Sequence, residues 1–503
     1  MIFSDQHPNP VLWADCPDPD VIRVGDTYYM ATTTMHVFPG GDILRSWNLC
    51  DWELVGHVFD TLEGTPAQKL REGNIYGQGM WAPCLRFRKG IFHLIFTSND
   101  MHKSCHYTAE RPEGPWTRVP MEGFWYDPSI LFDDDGRVYI AHGNREIRLT
   151  ELTPDLSAPL PGGLDRVIVR DLPKEEMPLG YEGSHLQKIG GRYVLSLIHW
   201  PQVSPAIRTQ AVYTAETPEG PWTGGDVLRD DLGLCGCGVA QGGLVEGPDG
   251  RWYAMLFQDH GAVGRIPALV PVRWEDGKPV FGPVPARIGA GDLRPGYAYA
   301  PLSDCDDFTA EALKPCWQWN HEPNPELVSL TPGRLSLRTG SIVHDLEQAP
   351  NTLTQRTFGP TCSAEVTVDA ANLVNGDYAG LCALQGEYAQ LAVCRQDSQL
   401  FLCLLTRREG ETREMAWVPL NAKSVRLRAD FDFREGRDTV TFRWRTAESD
   451  DVWQPLGGPH ILHYRLDHFM GVRVGLFCYA TKKTGGEAGF SAFSFSVGRR
   501  EAE

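Results

Sequence analysis

DVIRVGDTYYMATTT, Asp20–Thr34, reads as an apolar strand, a tight turn at Gly25 and an aromatic strand, and the chain repeats this pattern four more times. The other copies are CLRFRKGIFHLIFTS at Cys84–Ser98, SILFDDDGRVYIAHG at Ser129–Gly143, HLQKIGGRYVLSLIH at His185–His199 and GLVEGPDGRWYAMLF at Gly243–Phe257. Asp-Gly and Gly-Gly supply the positive φ angles that a two-residue hairpin turn demands, and the β-branched and aromatic residues that follow suit strands. The turn glycines, Gly25, Gly90, Gly136, Gly191 and Gly250, are 65, 46, 55 and 59 residues apart. A second repeat interleaves with the first. YTAERPEGPWT ending near Trp116 and YTAETPEGPWT ending near Trp222 are nearly identical, and SWNLCDWELV at Ser46–Val55 is a looser relative. Hairpins carrying a further strand pair, repeated every ~40–50 residues, are the signature of a radial propeller. Five copies predict five blades, filling residues 1–300.

The pattern then stops. PARIGAGDLRPGYAYAPLSD, Pro285–Asp304, is rich in Gly and Pro and reads as a linker lying along the first domain. Beyond it, RLSLR (Arg334–Arg338), AEVTVDA (Ala364–Ala370), SVRLRADFDF (Ser424–Phe433), TVTFRWR (Thr439–Arg445) and VRVGLFCY (Val472–Tyr479) alternate with period two, and GFSAFSFSV (Gly489–Val497) would close the set. Such strands separated by turns predict a β-sandwich over residues 301–503. No long amphipathic helix is legible, so the fold class is all-β.

Composition narrows the partners. A formal net charge of −18 disfavours nucleic acid and anionic membranes, which select basic surfaces. No run approaches the ~18 apolar residues of a membrane span. The beginning, MIFSDQHPNP, lacks the basic and apolar regions of a signal peptide. The 13 cysteines are odd in number and scattered, and Cys235 and Cys237 have the wrong spacing for a zinc knuckle. Free thiols in a reducing cytoplasm are the expectation. Homo-oligomerisation is left open.

In a propeller, functional side chains gather where the innermost strands converge. Three carboxylates stand at matching positions, just ahead of an inner strand: Asp18 in CPDPDVI, Asp127 in WYDPSILF and Glu182 in GYEGSHLQ. Each alone is ordinary turn chemistry. Their common register on three blades is not, because like charges on one axis raise one another's pKa, a cost that function must justify. Glycoside hydrolysis uses that difference, with one carboxyl held protonated as acid and another ionised as base.

These residues resemble glycoside hydrolase family 43. The resemblance is carried by NPVLWADCPDPDVIRVGDTYYMATTT, FPG at Phe38–Gly40, WAP at Trp81–Pro83, DPSILFDDDGRVYI at Asp127–Ile140 and YEGSH at Tyr181–His185. CWQWNHEPNP at Cys316–Pro325, Gln355–Arg356 and NGDYAGL at Asn375–Leu381 look like the family's accessory concanavalin A-like β-sandwich. The resemblance implies an inverting mechanism with Asp18 as general base, Glu182 as general acid and Asp127 as the residue that orients Glu182 and keeps its pKa high. Arg265, in GRIPALVPV, matches the family's substrate-binding arginine, and Trp81, Phe38 and Trp200 are candidate walls for a sugar face. Phe469, in DHFMGVRVG, is a candidate for a sandwich loop that closes the pocket. Many members carry a histidine in blade five, sometimes beside a bound calcium; Gln241 stands there here. The hydrolytic chemistry needs no cofactor, and a structural calcium finds no support in the sequence. The Asp133–Asp135 run reads as hairpin turn chemistry, and His142 and His199 as packing or rim residues.

The implied substrate is a short neutral pentose oligosaccharide, cut from its non-reducing end by a β-xylosidase with α-L-arabinofuranosidase activity. Three alternatives remain: a dedicated α-L-arabinofuranosidase, a retaining fructan hydrolase, and a catalytically silent sugar-binding propeller. Tyr126 before Asp127, where fructan hydrolases typically carry Arg, speaks against the second. The full set of three acids speaks against the third.

Overall fold

Each hairpin repeat supplies the first two strands of a four-stranded antiparallel sheet, and five such sheets follow one another along the chain. A computed structural model describes residues 6–171, 179–201, 207–234, 236–447 and 452–498. Blade one comprises Asp20–Val24, Thr27–Thr32, Gly40–Ser46 and Glu53–Phe59; blade two, Cys84–Arg88, Ile91–Ser98, Lys103–Ala109 and Thr117–Val119. Blade three comprises Ser129–Phe132, Val138–His142, Glu146–Leu152 and Asp165–Arg170; blade four, Tyr181–Ile189, Arg192–His199, Thr209–Ala215 and Thr223–Leu228. Blade five comprises Leu244–Glu246, Trp252–Asp259, Arg265–Glu275 and Lys278–Phe281. The turn glycines all have positive φ, from 63° at Gly25 to 92° at Gly136. The Pro-Glu-Gly-Pro-Trp repeat is the outer hairpin of blades two and four. In both, the indole N–H closes the turn on a proline carbonyl, Trp116 on Pro112 at 3.2 Å and Trp222 on Pro218 at 3.1 Å.

A side chain on each of four inner strands accepts a backbone N–H from the inner strand of the next blade. Asp20 takes Leu85 N (2.6 Å), Cys84 Sγ takes Ile130 N (3.2 Å), Ser129 takes Leu186 N (2.8 Å) and Gln187 takes Leu244 N (2.8 Å). The ring closes where Tyr28 of blade one donates to Glu246 O of blade five at 2.9 Å. At its centre Arg86 donates to Asp20, Ser129 and the carbonyls of Ile130 and Leu186, while His185 meets Asp20 at 3.0 Å. Against the upward push of burial, Arg86 and His185 hold the Asp20 carboxyl below its ordinary range.

The segment after blade five runs along blade one. Arg287–Ile288 pairs with His7–Pro8, and Tyr299 and Tyr297 bond Trp47 N and Glu53. The sandwich follows as two eight-stranded sheets, one of which ends in a strand borrowed from the propeller: Val37–Phe38 pairs with Gln318–Asn320. Among the strands here that did not announce themselves by alternation are Asp377–Leu384, Ala389–Gln396, Gln399–Arg408 and Glu411–Leu420. The first three are buried on both faces, so apolar residues run on without a polar partner face. Ala379, Leu381 and Ala383 face the main sandwich core, whereas Cys382 and Leu384 face a second cluster with Leu346, Tyr388 and Phe477. The domains are locked by Asp42, which accepts from His57 (2.8 Å), Gln318 (3.0 Å) and, very closely, Arg356.

All twelve described cysteines are free thiols; Cys235 lies outside the described residues. Among the described residues no helix is long and apolar enough to cross a membrane.

Candidate active site

The three acids lie at one end of the channel because each occupies the start of an inner strand. Asp18 and Asp127 stand two residues ahead of their strands with φ of 51° and 46°, and in blade five Gln241, ahead of Leu244–Glu246, has φ 62°. Left-handed backbone is costly for residues with a Cβ, least so for Asp and Asn. At Asp18 and Asp127 it is used at matching places, and their charges act on one another. Glu182 lies inside its strand, which begins at Tyr181, rather than ahead of it. A bulge between Glu182 and His185, with Gly183 at φ 64°, re-aims the carboxyl.

Asp18 is gripped from two sides. Arg265 Nη1 donates to both its oxygens, at 2.9 and 3.1 Å, and Thr33 Oγ1 donates to Oδ2 at 2.6 Å. Arg265 is itself fixed: its backbone N–H donates to Asp15 Oδ1 (2.7 Å) and its Nη2 to the carbonyl of Phe469 (3.2 Å). The Phe469 ring lies 4.3 Å from that guanidinium. Asp15 Oδ2 accepts Gly471 N at 2.9 Å, so one buried carboxylate aligns the arginine and anchors the sandwich loop.

Glu182 receives three donors. Tyr126 Oη and Asn144 Nδ2 both reach Oε2 at 2.9 Å, and Trp200 Nε1 reaches Oε1 at 3.3 Å. Two donors on Oε2 leave Oε1 as the oxygen able to carry a proton, which sets the direction of delivery. Burial pushes the Glu182 carboxyl above its ordinary range, the bonds from Tyr126 and Trp200 draw it back, and the charge of Asp18 adds to the push. Asp127 Oδ2 accepts Gly183 N at 3.0 Å. Burial, then the charges of Glu182 and Asp18, push its carboxyl well above the usual range. The three acids therefore share one electrostatic environment, although 109 and 55 residues separate them along the chain.

Trp81 is half-buried between the rings of Tyr126 (5.9 Å) and Phe469 (6.4 Å), on the wall of this space. Trp200 borders Glu182 and carries the Arg208 guanidinium 5.0 Å from its ring. Gln241 packs behind Gly183. Phe38 does not join them. It is fully buried in the core between blades one and two, 6.1 Å from Phe59, and its backbone pairs with Trp319 of the sandwich. Placing it as a sugar wall is therefore corrected: the sheet that joins the domains turns its ring inward. His142 packs on Trp125, and His199 stacks on Tyr181. Asp133 bonds Lys188 and Tyr193, and Asp135 bonds Arg137.

Sequence reasoning missed Asp15, Thr33, Tyr126, Asn144 and Arg208. Tyr126 adjoins Asp127 and was within reach of inspection; the others act from loops whose convergence only the fold reveals. Among the described residues no group of three His, Cys, Asp or Glu side chains is arranged to hold a metal ion. Among the inner strands it is the guanidinium of Arg86 that meets the Asp20 carboxylate and the Ser129 hydroxyl.

Comparison with known proteins agrees with this geometry. The family model described as glycosyl hydrolases family 43 matches residues 7–279, and that of the beta xylosidase C-terminal concanavalin A-like domain matches residues 305–496. A beta-xylosidase of Formosa agariphila is 29% identical, over 76% of this chain and 74% of its own. A non-reducing end alpha-L-arabinofuranosidase of Bacteroides ovatus is 28% identical, over 83% and 79%. Among solved structures, a bifunctional GH43-CE protein of Bacteroides eggerthii superposes with a TM-score of 0.91 at 40% identity, over 99% of this chain; this chain spans 64% of that one. With the three acids gathered on a five-bladed propeller and the matching sandwich behind it, the chain belongs to glycosyl hydrolase family 43.

Proposed function

We propose that the protein is an exo-acting, inverting glycosidase that releases xylose and arabinose from the non-reducing ends of short xylan- or arabinan-derived oligosaccharides, a β-xylosidase with α-L-arabinofuranosidase activity. The observation that carries this reading is the pairing of an arginine-bound carboxylate, Asp18, with a buried carboxyl of raised pKa, Glu182, in one space. Asp18, acceptor-only while ionised, takes the proton of a water. Glu182 delivers the Oε1 proton to the leaving oxygen as the glycosidic bond breaks. Water attacks from the face opposite the leaving group, and the anomeric configuration inverts. Asp127, whose own carboxyl is pushed up by burial and by the charges of Glu182 and Asp18, fixes the Gly183 backbone beside the acid.

A sandwich loop over one side of the pocket suits single-sugar release, and relatives divided between β-xylosidase and α-L-arabinofuranosidase support the two pentoses. The free thiols of all twelve described cysteines are in keeping with a reducing compartment. Side-by-side kinetics on aryl β-D-xyloside and aryl α-L-arabinofuranoside, with product configuration followed by NMR, test the reading. Turnover of both with inverted product is expected; a retained configuration, or binding without turnover, would overturn it.

A further inference from the structure

The acid cluster is built by the propeller, but the space above it is closed by the sandwich segment that precedes Arg473–Ala480. That segment is firmly docked. Gly471 N donates to Asp15 (2.9 Å), Val472 N donates to Ala262 O (2.8 Å) and the Phe469 carbonyl accepts from Arg265 (3.2 Å). Gly471 has no room for a Cβ, which would come within 2.2 Å of Val263 O, so the approach of loop to propeller is as close as a backbone allows. On this docked loop Tyr464 packs its ring 6.4 Å from that of Phe469, the ring that lies over Arg265.

The Tyr464 hydroxyl is buried, and among the described residues it has no hydrogen-bond partner. Tyr126, also at the site, spends its hydroxyl on Glu182. A buried hydroxyl without a partner is costly and is retained where something else completes it. The side chain's surroundings say what that is. Burial pushes the phenol up, and the charges acting on it are those of Arg265, Asp15, Arg208 and Asp18. The geometric link is the Phe469 ring, which packs against Tyr464 on one hand and lies 4.3 Å from the arginine of the base on the other. A neutral phenol that both donates and accepts is matched to a sugar hydroxyl.

We propose that Tyr464 is a substrate-contacting residue: its hydroxyl hydrogen-bonds one ring hydroxyl of the sugar held over Asp18 and Arg265, so the sugar pocket is complete only with the sandwich in place. The proposal rests on the pentosidase reading above and adds to it a specificity-determining residue supplied by the second domain.

Tyr464→Phe keeps the ring against Phe469 and removes only the oxygen. On the better aryl pentoside, kcat/KM is expected to fall about tenfold, the worth of one hydrogen bond. Melting temperature should hold or rise, since the oxygen removed is unpaired in the free protein, and the alkaline limb of the pH profile should be unchanged. Assayed on aryl xylosides lacking each ring hydroxyl in turn, wild type and variant should become equal on one of them and keep their tenfold difference on the others. A variant within twofold of wild type on every pentoside overturns the proposal, as does one weaker by the same factor on every deoxy substrate. Activity of the wild type alone judges the pentosidase reading. Should it turn over neither pentoside, thermal shift with xylose, arabinose, galactose and glucose decides the contact separately. A sugar-induced rise in wild type that Tyr464→Phe loses supports it; an equal rise in both proteins, or a rise in neither, overturns it.

Discussion

Arg265 reaches Asp18 with a single nitrogen, Nη1, which lies 2.9 Å from one carboxylate oxygen and 3.1 Å from the other. A second guanidinium nitrogen, Nη2, is thereby left to the Phe469 carbonyl. One planar group therefore fixes the base and the sandwich loop together, a geometry that a lysine ammonium, a point charge on a flexible stem, does not reproduce. Arg265→Lys should lower kcat/KM by about 100-fold, within the range attributed to positioned acid–base groups, while Asp18→Ala should abolish measurable turnover. Steady-state kinetics on both aryl pentosides check this; near-wild-type activity in Arg265→Lys would show that charge alone suffices.

Glu182 acts only where the leaving oxygen needs a proton. Glu182→Ala should lose about 10³-fold on unactivated disaccharides, yet retain most of its turnover on aryl glycosides whose phenol leaves unaided. Tyr126→Phe removes one of two donors to Oε2 and leaves Asn144 in place. It should cost about tenfold, again chiefly on poor leaving groups. Equal losses on activated and unactivated substrates would contradict the assignment of Glu182 as acid.

The pH profile should be bell-shaped, and Asp127 sets its alkaline side. Glu182 must be protonated to act, so activity persists below its raised pKa and is lost as pH climbs through it. Burial raises both carboxyls, the charges of Glu182 and Asp18 adding to the push on Asp127 and that of Asp18 to the push on Glu182, and the last proton leaves the pair against the charge already there. Asp127→Asn removes that second charge, making ionisation of Glu182 easier, so the alkaline limb should move to lower pH. A limb that stays in place would show that Asp127 does not act on the acid through charge.

Much of this was legible in the chain itself. The hairpins announced themselves because each turn needs glycine and each inner strand is apolar, and the acids announced themselves by clustering at the beginnings of those strands, Asp18 and Asp127 two residues ahead and Glu182 just inside. Phe38 was misread because an aromatic beside Pro39 looks like a pocket wall until its backbone is seen paired to Trp319. Strands such as Ala389–Gln396 were invisible to alternation because both of their faces are buried. Asp15 and Asn144 were unreadable for a different reason: their partners lie 250 and 38 residues away, and only blade closure brings them within 3 Å.

The junction of the two domains gives a prediction about stability. Asp42 is wholly buried, and Arg356 is its one described arginine partner; against burial, Arg356 and His57 hold its carboxyl well below the usual range. Arg356→Met should cost about 3–5 kcal/mol, because it leaves a buried carboxylate short of its counter-charge. Arg356→Met combined with Asp42→Leu should recover a good part of that loss, since neither charge then remains. Urea unfolding of the single and double variants decides it; a double variant no more stable than Arg356→Met would place the cost in lost packing.

Gly183 joins the backbone of the site to its chemistry. It adopts φ 64°, gives its N–H to Asp127, and offers no space for a side chain: a Cβ there would lie 2.5 Å from Cδ of Gln241. Gly183→Ala therefore meets two obstacles, left-handed backbone costing about 1–2 kcal/mol and a clash with a neighbour that is itself held by Gln210 at 2.8 Å. The clash can be relieved separately. Gly183→Ala should reduce kcat by one to two orders of magnitude with little change in KM, because the bulge that aims Glu182 must shift. Adding Gln241→Ala should restore part of kcat by opening the space, while the melting temperature stays low because the backbone strain remains. If kcat and stability recover together, the clash accounts for both. If neither recovers, the bulge is set by backbone conformation alone and Gln241 plays no part in aiming the acid.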